Sequence, residues 1–225
     1  MYFGGDDQLL TTAPDQASGQ SDYISDPDHP VPFRMDIKPL FIPRKYMADD
    51  HRQIARRPDV LTFTTEVLDS DITLAGPIDA ELFVSTTGTD ADWVVKLIDV
   101  YPDDHPDYEE TQDHITMGAY QQLVRGEVFR GRYRNGFEKG IPFEPNEVSE
   151  VNWQLQDVFH TFKKGHRIMI QVHSSWFPYV DLNPQTFVPN IFEAEEADFQ
   201  AQTHSLYHNA ERASRVTVSI LPNKE

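Results

Sequence analysis

The chain has no cysteine. That excludes a disulfide framework, a thiol nucleophile and a thiolate metal site. Cationic residues are scarce: 19 Lys and Arg stand against 37 Asp and Glu, for a net charge of −18. Duplex nucleic acid and anionic membrane surfaces are themselves negative, so neither is expected as a partner. No apolar run approaches the ~18 residues of a membrane-spanning helix. No G-x-S-x-G segment occurs, so nothing presents a serine on a nucleophile elbow. The opening MYFGGDDQLL lacks the basic and apolar regions of a secretion signal. It reads as though it starts mid-strand, so a cut from a longer chain is expected and localisation stays open.

What is abundant is strand pattern. Apolar residues make up 39% of the 225 residues and aromatics 12%, enough for a core. Ile78, Ala80, Leu82 and Val84 alternate with polar residues, as do Val151, Trp153 and Leu155, then Ile168, Ile170 and Val172, then Val216, Val218 and Ile220. Period-two alternation places one face on a core and the other in water. Trp93 to Val100 is apolar on both faces and reads as a central strand covered on both sides. Gln122 to Arg134 reads as a long strand, with bulges suggested by Gly126 and Gly131. Turns are expected at Gly76-Pro77, Pro102-Asp103-Asp104, Asn135-Gly136 and Lys164-Gly165. Short strands with turns between them predict an all-β antiparallel sandwich of jelly-roll type.

Two segments depart from that pattern. Five of the sixteen prolines fall between Pro27 and Pro43. Proline fixes φ and biases the preceding residue to extended geometry. Residues 1–58 are therefore read as an extended, Pro-rich strap, and residues 59–225 as the sandwich. One short helix is expected over Phe192 to Gln202, with Phe192 and Phe199 on its apolar face.

Three segments together resemble one family. They are Tyr23–Phe33 (YISDPDHPVPF), Arg57–Asp104 and Leu123–Pro184. In this order and spacing they are similar to the C-terminal domain of the CocE/NonD serine hydrolases, the group of cocaine esterase, α-amino acid ester hydrolase and X-Pro dipeptidyl-peptidase. The resemblance implies a galactose-binding-like jelly roll following an α/β-hydrolase domain that carries a Ser-Asp-His triad. It implies a non-catalytic accessory role, capping the active site and aiding assembly. The implied partners are that catalytic domain and, in some assemblies, a second copy of the chain. The family's catalytic residues lie upstream of the part represented, so none is carried onto a position here. The alternative is a free-standing carbohydrate- or ligand-binding module.

Candidate sites follow, each beside a plainer reading. The resemblance implies that Leu40 and Phe41 in the strap lie near the substrate of the intact enzyme; the plainer reading packs them on the sandwich. The apolar surface a missing partner would cover is expected around them. Trp176, Phe177 and Tyr179, in the loop Ser174 to Pro184, are the other substrate-proximal candidates. An aromatic loop at a sandwich end also suits plain packing. Ser174 or Ser175, Asp181 and His204 include the residue types of a triad, but their spacing suggests no mutual geometry. His204 and His208, spaced i, i+4 on a helix, would share a face as zinc-binding pairs do. No third ligand accompanies them, and no metal site is assigned. Asp90, Asp92, Asp99, Asp103, Asp104 and Asp107 resemble a calcium-binding cluster, yet pairing with Arg125, Arg130, Arg132 and Arg134 is favoured. No cofactor is expected; calcium is the ion of choice if one is present.

Overall fold

The computed structural model describes residues 1–34 and 44–222. Among them are eleven strands: β1 Tyr2–Phe3, β2 Leu9–Leu10, β3 Gln20–Ser25, β4 Leu61–Thr64, β5 Ile72–Thr86, β6 Asp92–Val100, β7 Gln121–Arg130, β8 Ser149–Phe162, β9 Arg167–His173, β10 Gln202–Tyr207 and β11 Arg215–Ile220. They form two antiparallel sheets. The larger runs β2-β1-β11-β5-β10-β3, with β8 also paired to β5; the smaller runs β4-β9-β6-β7. This is the all-β sandwich that the alternation predicts.

The alternating residues supply the core between the sheets. Ile78, Ala80 and Leu82 stand opposite Leu155, Trp153 and Val151 across the β5–β8 pair. They meet Trp93, Val95 and Leu97 of β6 and Ile168, Ile170 and Val172 of β9 in one buried cluster. Each fully buried Leu or Val stabilises the sandwich by about 1.5–3 kcal/mol. Residues 1–25 contribute to the same body: β1 pairs β11, and β3 pairs the whole of β10. Between Asp26 and Val60 the described residues make no strand, only isolated bridges and 3₁₀ turns at Arg44–Ala48 and Ile54–Arg56.

Three local readings need correction. The helix expected over Phe192–Gln202 is absent. In its place are two single 3₁₀ turns, Ile191–Glu193 and Glu196–Asp198, and then the start of β10. Phe192 is 82% exposed, so no apolar face was available to hold a helix against the sandwich. Gly76-Pro77 does not end a strand. Both lie inside β5, where Gly76 has φ +114° and the register to β8 shifts between Gly76 and Ile78. A bulge accommodates a proline, which has no N–H for the ladder, in a central strand. In β7 the irregularity lies opposite Leu97/Ile98, not at Gly126, and Gly131 starts a 3₁₀ turn. Elsewhere the turn glycines behave as expected: Gly136 and Gly165 both adopt positive φ.

β6 sits between β9 and β7, and every side chain from Asp92 to Asp99 is buried. That is the central strand predicted from its two apolar faces. The inner face meets the larger sheet. The outer face, with Val94 and Ile98, is closed by a second cluster built from Phe33, Leu123, Met169 and Trp176, with Tyr46 and Tyr179 against it. The strap and the aromatic loop together supply that cover.

Candidate functional site

The loop after β9 and the two described arms of the strap are tied by main-chain bonds. Phe33 N–H donates to the Phe177 carbonyl at 2.9 Å, and Phe177 N–H to the Val31 carbonyl at 3.0 Å. Val31 N–H donates to Ser175 Oγ at 2.8 Å. The second arm is pinned by His51 N–H to the Gln121 carbonyl at 2.9 Å and by Tyr120 Oη to the Ala48 carbonyl at 2.8 Å. Arg52 reaches the carbonyls of Gly118 at 2.7 Å and Thr116 at 2.9 Å. Backbone groups that cannot join a sheet thus find partners between the loops.

The side chains on this frame form an aromatic cluster. Ring centroids of Trp176 and Tyr179 lie 4.9 Å apart, and those of Tyr46 and Tyr179 5.2 Å. Phe33 stacks on Tyr179 at 6.3 Å, and Tyr46 Oη donates to Tyr179 Oη at 3.2 Å. Burial, and then the neighbouring Tyr179 hydroxyl, push the Tyr46 phenol up to about 12. Trp176 is 3% exposed and forms the floor; Tyr179 is half-buried; Phe177 is 39% exposed and turns outward. Gly126 allows the close fit: a Cβ there would stand 3.0 Å from Trp176 Cη2. Beside the cluster, Tyr46, Leu123, Gly126, Gln156 and Tyr179 line a groove of about 30 Å³. That is room for about one water, far below the ~300 Å³ of a small-molecule pocket. Leu40 and Phe41 lie outside the described residues.

The remaining candidates are dispersed. Ser174 Oγ bonds Tyr23 Oη at 2.6 Å, Asp181 accepts from Arg130 at 3.3 Å, and His204 Nε2 meets Gln185 Oε1 at 2.7 Å. These residues therefore have three separate sets of partners. His204 and His208 are not on a helix. His204 lies in β10 and His208 just beyond it, about 13 Å apart at strand rise. His204 packs edge-on to Tyr23 at 5.5 Å, and burial drives its pKa down to about 3. His208 Nε2 is 3.0 Å from Ser21 Oγ.

The acidic run is divided by its partners. Asp90 accepts a two-pronged bond from Arg132, both buried. Asp92 accepts from Arg130 at 3.3 Å and Asn183 at 2.8 Å. Burial, against the pull of Arg130, raises Asp92 to about 7. Asp99 bridges His160 and His166 at 2.8 Å each. Asp107 accepts from Met117 N–H at 2.6 Å. Arg125 and Arg134 turn instead to main-chain carbonyls. Among the described residues, no group of three His, Asp or Glu is placed to hold a metal ion.

Sequence reading missed Phe33 and Tyr46 as parts of the aromatic site, and also the buried pair Lys96 and His51. The single lysine inside the apolar run WVVKLIDV was a usable signal. The burial of His51 had none, because the strap's path is a tertiary outcome.

Known proteins share this fold. A model of the X-Pro dipeptidyl-peptidase C-terminal non-catalytic domain matches residues 1–217. An aminopeptidase from a marine sediment Thaumarchaeota archaeon superposes with a TM-score of 0.92 at 40% identity, covering 99% of this chain and 36% of that one. An α-amino acid ester hydrolase superposes at 0.86 and 39% identity, covering 98% and 36%. Cocaine esterase of Rhodococcus sp. (strain MB1 Bresler) is 34% identical over 177 residues, 79% of this chain and 28% of that protein. The chain thus spans about a third of the length of these relatives. With the domain model matching nearly end to end over an antiparallel sandwich, the chain belongs to the X-Pro dipeptidyl-peptidase C-terminal non-catalytic domain family.

Proposed function

We propose that this domain serves a serine hydrolase acting on esters or amides, and that an α/β-hydrolase domain of the same parent protein performs the acyl transfer. The observation that carries the reading is the match of the non-catalytic domain family over residues 1–217 of a chain with no nucleophile elbow. The aromatic face is the surface assigned to the catalytic domain. There Phe177 and Tyr179, with Trp176 as their floor, border the substrate side. The domain caps that side and limits substrate size. Trp176, the ring a sugar would stack on, is 3% exposed, which disfavours a free-standing carbohydrate module built on this loop.

Two measurements test this. The chain alone neither turns over p-nitrophenyl acetate nor takes a fluorophosphonate label; serine-dependent labelling would overturn the accessory role. In the parent protein, Phe177→Ala shifts the ratio of kcat/KM between bulky and small acyl esters. An unchanged ratio removes the aromatic face from the substrate side.

A further inference from the structure

The outer face of the smaller sheet carries an unusual set of side chains under the strap. Lys96 of β6 stands directly opposite Gln171 of β9, and Val94 opposite His173, so Lys96, Gln171 and His173 share one face. Gly126 of β7 is the other cross-strand partner of Lys96 and leaves its flank open to Trp176. Lys96 Nζ lies 4.6 Å from the Trp176 ring centroid. His51 comes down from the strap against the Gln171 side chain, and Lys96 bears electrostatically on both His51 and His173. All five are buried: Lys96, Gln171 and His173 are 0% exposed, His51 1% and Trp176 3%.

Among the described residues, several of their polar atoms have no hydrogen-bond partner. This holds for Lys96 Nζ, both ring nitrogens of His51, Gln171 Oε1, His173 Nε2 and Trp176 Nε1. A buried unsatisfied polar group costs about 1–3 kcal/mol, so a cluster of them demands an occupant. The charges are also one-sided. Burial pushes the pKa of Lys96 well below its usual value, and among the described residues no carboxylate is paired with it. Asp49 and Asp50, which precede His51 in sequence, are held by Arg34 and Arg52, and Asp59 by Arg57.

The hydrogen inventory narrows the choice of occupant. His173 Nδ1 is 2.7 Å from the Ser175 carbonyl, so Nδ1 carries the proton and Nε2 is an acceptor. Among the described residues Lys96 Nζ makes no hydrogen bond to either nearby acceptor, Gln171 Oε1 or His173 Nε2, so its protons are left over. The Trp176 indole N–H and one N–H of His51 are also left over. Three such donors, one of them an ammonium that burial disfavours unless an opposite charge joins it, fit a small negative sphere.

We propose that Lys96, Trp176 and His51 form a buried site for a small monovalent anion of halide size, which locks the strap and aromatic loop onto the sheet. The occupant neutralises Lys96 and joins three elements: β6, the loop after β9 and the strap. The site is independent of the accessory role and persists whatever the parent enzyme acts on.

The test is thermal unfolding of the protein in sodium bromide or chloride against sodium gluconate at equal ionic strength. Wild type gains about 3–6 °C for each tenfold rise in halide beyond half-saturation. Lys96→Met folds and shows no halide-specific gain. Trp176→Phe keeps the ring, loses the N–H, and needs about tenfold more halide, which holds the test if Lys96→Met fails to fold. Crystals grown in bromide show an anomalous peak among Lys96, His51 and Trp176. Equal responses to halide and gluconate in wild type, or ordered water alone at that position, overturn the proposal.

Discussion

Trp176→Ala is the sharpest probe of how the loop is held. The indole is 3% exposed, is 4.9 Å from the Tyr179 ring and 6.2 Å from that of Tyr46, and covers Lys96. Truncating a buried Trp costs about 3–5 kcal/mol from lost transfer and the cavity left behind. Each aromatic pair adds about 0.5–1.5 kcal/mol beyond area, but the cluster lies at the rim and can partly collapse. The expected loss is therefore about 3–5 kcal/mol, a large part of a typical 5–15 kcal/mol stability. For a chain of 225 residues this lowers Tm by about 6–20 °C. Urea unfolding followed by far-UV circular dichroism measures it without relying on the removed fluorophore. Phe177→Ala is the internal control. Its side chain is 39% exposed, so removal costs at most about 1 kcal/mol, while its main-chain bonds to Val31 and Phe33 survive. A Trp176→Ala loss below about 1 kcal/mol, or a Phe177→Ala loss equal to it, would refute the view that the indole is the clamp.

Two further outcomes are expected. Asp92, raised to about 7, stays protonated in the fold while the unfolded chain ionises above pH ~4, so wild type loses stability as pH climbs from about 4 to 7. The full shift corresponds to about 4 kcal/mol. Asp92→Asn removes this slope, and parallel Tm profiles for the two proteins between pH 4 and 8 would contradict it. Gly131→Ala places a Cβ 2.5 Å from Trp93 Cζ3 and 2.8 Å from the Ala91 carbonyl. Such overpacking destabilises by about 1–3 kcal/mol, measurable by urea titration; a neutral change would show that the Trp93 ring yields freely.

By itself the sequence determined the sandwich. Alternation at Ile78–Val84, Val151–Leu155 and Ile168–Val172 is a local pattern, and burying one face of each strand leaves few alternatives. The doubly apolar run at Trp93–Val100 likewise announced a strand with cover on both sides. The family likeness was legible for the same reason, since it rests on segments spread in order along the chain. What failed was local preference against tertiary context. The acidic, alanine-rich stretch at Phe192–Gln202 favours helix, yet its Phe192 found nothing to pack on and its end was drawn into β10. Gly76-Pro77 looks like a turn, yet β8 and β11 on either side hold it inside one strand. The aromatic site was half legible. Trp176, Phe177 and Tyr179 stand together in sequence, whereas Phe33, Tyr46 and His51 join them only because the strap folds back across the sheet. Only the tertiary structure decided what lies beneath. Lys96 is buried beside Gln171, His173 and His51 because the strap, β6 and β9, distant in sequence, come together around it. Proximity of that kind has no periodic signature in a single chain, since it arises from packing between elements and not within them.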